Sequence, residues 1–237
     1  MTVHDLIPEA PEVLRELSAE YLRVAELATT ADPRSQRSAC LLLALRSASI
    51  LHGIKQVLTP ETTDCADLLA RSFIEARDLL LTFRFDDQST RNKIHAWFEG
   101  KGDGAWKPNH QRCEDYLRSM GGGESELAIR WSMLSALTHS TYVAATNSAR
   151  VVERRLKGPQ ASSPITFDVK VADFLLSFAS LFALTAGEQP TWLSLGLDRE
   201  KIERSIRFSL KAAQVSQPIL EATRGNRLPG DRYKPQP

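Results

Sequence analysis

With 237 residues, 42% of them hydrophobic and 25% charged, the chain is long enough to bury a sizeable core, and its formal charge of +1 gives no general attraction to nucleic acid or a membrane surface. Cys40, Cys65 and Cys113 are widely spaced and odd in number, which argues against a disulfide framework and fits a reducing compartment. The opening Met1-Thr2-Val3-His4-Asp5-Leu6-Ile7-Pro8-Glu9 has neither the basic start nor the apolar centre of a secretory signal, so a cytoplasmic location is expected.

The first helix is expected from Pro11, a residue suited to the first helical position, with Leu14, Leu17, Tyr21 and Val24 on one stripe and an acidic opposite face. Thr30-Ala31-Asp32-Pro33 breaks it. A second helix should run to about Leu58 and stop at Thr59-Pro60, where proline removes a backbone donor. The third, roughly Thr63 to Phe83, is apolar on more than one face, the pattern of a helix packed on several sides. A shorter amphipathic helix should cover Gln88 to Phe98, and the glycines and proline of Glu99 to Pro108 make a loop. Further helices are expected over about Asn109–Met120, from Glu124 to His139 after Gly121-Gly122-Gly123, and over about Val143–Leu156. Gly158 to Pro164 is a break. An apolar helix capped by Thr166 or Asp168 then reaches Leu184, well short of the roughly 20 residues a bilayer span requires, so no membrane association is expected. The last helix opens at Leu197-Asp198 and reaches about Thr223. No alternating strand pattern or internal repeat is present. The fold class is therefore all-α, one antiparallel helical bundle over residues 1–223, with 224–237 a flexible basic tail too poor in apolar surface to fold alone.

Two segments carry ionisable groups within apolar helices: Arg71-Ser72-Phe73-Ile74-Glu75-Ala76, and Ser135-Ala136-Leu137-Thr138-His139. If the two helices lie side by side, Glu75 can orient the His139 ring and leave its second nitrogen for a ligand, with Arg71 and Ser135 beside it. The alternatives are an exposed Arg71–Glu75 pair at i,i+4 and a His139 that meets only the last carbonyls of its own helix.

These two motifs resemble a broad group of bacterial all-helical proteins placed near the HEPN superfamily (higher eukaryotes and prokaryotes nucleotide binding), over about residues 63–187. The resemblance implies an antiparallel bundle, frequent dimerisation and kinship with toxin, phage-defence and RNA-cutting proteins. Active HEPN nucleases carry an arginine, four to six intervening residues and a histidine late in the bundle. Here Arg130 and His139 are too far apart, and Arg46 and His52 have the spacing in an early helix. A metal-independent ribonuclease needs a group near neutrality to take the 2′-hydroxyl proton and a cation for the phosphate, roles that histidine and arginine can fill.

His110 and Cys113 are spaced like half a zinc site, but no second pair follows, so no metal is expected. No glycine-rich phosphate loop occurs, and no cofactor is expected. Arg150, Arg154, Arg155 and Lys157 form a basic helix end, the best place for RNA contact. The reading that results is a helical binding module of HEPN-like type, in phage defence or a toxin–antitoxin system, forming a homodimer or meeting a protein partner. The alternatives are a metal-independent endoribonuclease, with His139 or His52 as the base and Arg71 or Arg46 on phosphate, and a non-catalytic scaffold or antitoxin-like partner.

Overall fold

The computed structural model describes residues 1–59, 62–101, 106–109, 112, 113, 115, 116, 168–172, 174, 175, 177, 178, 181 and 198–225. Among these, all regular structure is helical, as the sequence pattern requires: α1 (Val3–Leu6), α2 (Ala10–Ala31), α3 (Gln36–Val57), α4 (Thr63–Phe83), α5 (Gln88–Phe98) and α6 (Arg199–Gly225), with further helical residues between 112 and 116 and between 168 and 181.

Local chemistry sets most of these limits. Ser35 caps α3 by accepting the Ser38 amide, and Asp87 caps α5 by accepting that of Thr90 at 2.7 Å. At the far end of α5, Gly100 turns the chain at φ 65°; its amide and that of Lys101 donate to Trp97 and Ala96, the pairing of a Schellman close. Three boundaries differ from expectation. The turn α1 precedes the first long helix, and that helix starts at Ala10, one residue before Pro11. The last helix continues past Thr223 to Gly225 with Pro218 inside it. Proline there removes the amide that Gln214 would bond, but both residues are exposed, so the orphaned carbonyl faces water. The tail from 226 lies outside the described residues.

One continuous core draws on every helix named above. The α2 stripe of Leu14, Leu17, Tyr21 and Val24 is buried as its spacing predicts. Helices α2, α3 and α4 pack in succession, and α3 approaches α4 closely enough that a Cβ at Gly53 would stand 3.3 Å from Leu69 Cδ1. The second half of α4 is enclosed on all sides, with residues 76–83 all buried. Phe178 and Phe208 meet edge to face at 5.0 Å, joining the helical residues near 178 to α6. The acidic face of α2 is where α6 attaches. Glu20 accepts from Lys201 Nζ at 3.0 Å and from Arg23 at 2.7 Å, while Arg204 reaches Glu16 at 2.8 Å and Glu12 at 3.2 Å. Burial pushes the Glu20 carboxyl up, but bonds from Arg23, Lys201 and the Asp198 amide outweigh it and hold the group below its ordinary value. No helix among the described residues is long and apolar enough to cross a membrane.

Candidate functional site

Among the described residues, the polar side chains singled out in the sequence fall on two helices, Arg71 and Glu75 on α4 and Arg46 and His52 on α3. Arg71 Nε lies 3.4 Å from Glu75 Oε1 on α4, with the two side chains 22% and 50% exposed. This is the i,i+4 ion pair given above as one alternative, with the Glu75 carboxylate open to solvent and Arg71 more covered. The reason is position: this half of α4 still has a solvent side, marked by Leu68 at 50% exposure, and enclosure begins one turn later. Ser135 and His139, the other half of the proposed cluster, lie outside the described residues, as do His110 and the basic residues Arg150, Arg154, Arg155 and Lys157.

Arg46 and His52 are both on α3 but point apart. Six residues turn an α-helix by about 240°, so the two side chains diverge by about 120°. Arg46 is exposed, whereas His52 is half-buried against α2. His52 Nε2 lies 3.3 Å from Ser18 Oγ, and the Ser18 hydroxyl donates to Leu14 O at 2.6 Å. With the serine proton committed to its own helix, the ring nitrogen is the donor to Ser18, so His52 does not act as a base on that hydroxyl. Burial lowers the His52 pKa below its usual value, partly opposed by a bond to the Leu14 carbonyl. The ring is neutral at pH 7, a state suited to packing.

Around that ring the structure opens a shallow groove of about 290 Å³ between α2 and α3, lined by Ser18, Ala19, Leu22, Leu45, Ser49 and His52. The sequence dictates its shape. On α2, positions 15, 19, 22 and 26 share one outward stripe, and on α3 so do 42, 45, 49 and 52. The inward stripes of both helices carry the core residues. The outward floor is made of Ser18, Ala19 and Ser49, flanked by Leu22, 50% exposed, and the half-buried Leu45, with Leu42, 37% exposed, beyond it on α3. Arg15 and Glu26, both exposed, stand at opposite ends of the α2 stripe. Small residues between leucines make a surface that another helix can approach closely.

A second polar cluster is enclosed in the core and was missed in the sequence. Arg77 donates from Nε and Nη2 to Asp78 Oδ1 at 3.0 and 2.8 Å, with the two side chains 6% and 3% exposed. The Asp78 carbonyl accepts from Thr82 Oγ1 at 2.8 Å and from the Cys113 thiol at 3.3 Å. Burial, together with the nearby Asp78 carboxylate, pushes the Cys113 thiol up to about 12, so it stays protonated and unreactive. Adjacent charges in the apolar run Ala76 to Phe83 were the available signal; the i,i+4 spacing of Arg71 and Glu75 drew attention one turn too early. With both side chains almost wholly covered, this pair is a structural element of α4.

Among the described residues no three His, Cys, Asp or Glu side chains are grouped to hold a metal ion. Comparison of the chain with protein-family models, with curated proteins and with solved structures finds no match.

Proposed function

We propose that this all-α protein is a helical interaction module that presents the α2–α3 face to another helical surface, as a homodimer or with a protein partner. The observation that carries the reading is the groove itself: small residues between half-exposed leucines, with a neutral histidine whose hydrogen bonding holds structure. The chemistry nearby supports contact more than catalysis, because Arg46 diverges from His52 and the Ser18 proton is already committed. A place in phage defence or a toxin–antitoxin pair is the HEPN-like part of this proposal and rests on the motifs at residues 71–76 and 135–139.

Incubation with total RNA in chelator tests the reading. The expected result is intact RNA with the wild-type protein. Cleavage that disappears in His139→Ala or in His52→Ala would replace the module with a metal-independent endoribonuclease and identify its base. Salt-sensitive RNA retention, weakened in a variant of Arg150, Arg154, Arg155 and Lys157, would make RNA the partner instead of a protein.

A further inference from the structure

Helix α6 is seated unevenly along its length, and we propose that its second half, from Ser209 onward, is a hinged strap that lifts from the bundle while the first half stays attached. The first half is held by charge and by apolar contact together. The Asp198 amide, Lys201 and Arg204 meet the carboxylates of Glu20, Glu16 and Glu12 on α2, while Ile202 and Phe208 are buried and Phe208 packs on Phe178. The second half is seated differently. Among the described residues, the side chains it buries are those of Ser209, Ala212 and Ser216, whereas Val215 and Ile219 are only half-buried.

Two of those three buried side chains are polar. Ser209 and Ser216 are 6% and 0% exposed, and neither hydroxyl has a hydrogen-bond partner among the described residues. Closing the strap strips water from both hydroxyls and returns no bond, so opening recovers what closure costs. Pro218 adds to the asymmetry, because it removes the amide that would bond Gln214 and so weakens the helix where the strap ends. The order of the ion pairs shows what lies beneath. Lys201 meets Glu20 while Arg204 meets Glu16 and Glu12, so α6 runs antiparallel to α2, and α1, which precedes α2 and also touches α6, lies against the second half. Lifting the strap therefore bares Val3 and Leu6, 2% and 3% exposed when it is closed. A separate tie, His4 Nε2 to Asp168 Oδ1 at 2.7 Å, holds α1 in place.

Native-state hydrogen exchange of the full chain, read peptide by peptide by mass spectrometry, tests the strap. Amides of residues 210–219 should exchange faster than those of 203–208 on the same helix. Ser209→Ala/Ser216→Ala removes both unpaired hydroxyls and should slow exchange in the second half about tenfold while leaving the first half unchanged. Gln214→Ala, at an exposed position on the same half, controls for the greater helix propensity of alanine and should slow it far less. In a Val3→Cys chain, iodoacetamide labelling at that position should slow by the same factor once the two serines are replaced. The inference is overturned by a single exchange rate along the whole of α6, by a double variant that exchanges as fast as the wild type or no slower than Gln214→Ala, or by labelling at position 3 that ignores the serines. None of these readouts depends on what the α2–α3 face contacts.

Discussion

Replacing Asp78 with alanine is the sharpest probe of how α4 is built. Arg77 and Asp78 are adjacent, nearly sealed from water, and joined by two donors from one guanidinium to one carboxylate oxygen. Asp78→Ala removes the counter-charge and leaves the cation among Phe73, Ile74 and Leu81, all buried. Breaking such a pair from one side costs about 3–5 kcal/mol, a large share of the roughly 5–15 kcal/mol that holds a typical domain together. An exposed i,i+4 pair such as Arg71–Glu75 contributes only about 0.3–0.5 kcal/mol, so Glu75→Ala serves as the internal comparison. Urea unfolding followed by circular dichroism should show a large drop in the midpoint for Asp78→Ala and almost none for Glu75→Ala. Arg77→Met/Asp78→Leu removes both charges together and should recover most of the lost stability. A loss below about 1 kcal/mol for Asp78→Ala would refute the argument that an uncompensated guanidinium is buried there.

Other outcomes follow from the same physical terms. His52 should titrate below the 6.5 of a free imidazole by NMR. Because the unfolded chain takes up that proton first as pH falls, stability should be full above pH 6.5 and decline below it, and His52→Gln should remove that part of the slope. Asp87, held down to about 2 by Arg112 and then by the Thr90 amide, should stabilise the start of α5 above its usual pKa, with the effect lost as pH falls toward 2; Asp87→Ala should flatten that acid limb. In native protein at pH 8, iodoacetamide should label Cys40 and Cys65, both half-buried, well before Cys113, and mass spectrometry should find Cys113 modified only after unfolding. Gly100→Ala, at φ 65°, should cost about 1 kcal/mol in the same unfolding assay.

The far ends of α3 and α5 were legible because explicit chemistry follows them in the sequence: the Thr59-Pro60 break after α3, and the glycines and proline of Glu99 to Pro108 after α5. The buried stripe of α2 was legible from period alone. The acidic face opposite was read as a face and not as an attachment, because nothing in a single chain says that Lys201 and Arg204 return to it from 181 to 192 residues away. The Arg71–Glu75 pair was legible as a pair, but its exposure depends on where neighbouring helices stop covering α4. The groove escaped notice for a related reason. Its lining alternates with core residues along two helices, and only their antiparallel register brings Ser18 and Ala19 beside Ser49 and His52.

The most direct measurement of the central claim is hydroxyl-radical footprinting of the wild-type chain across a dilution series, with oxidation of individual leucines read by mass spectrometry. Leu22, Leu42, Leu68 and Leu210 are all exposed in the single chain. If the α2–α3 face is the contact surface, Leu22 and Leu42 become protected as concentration rises while Leu68 and Leu210 react unchanged. Equal reactivity of Leu22 and Leu210 at every concentration would contradict the account.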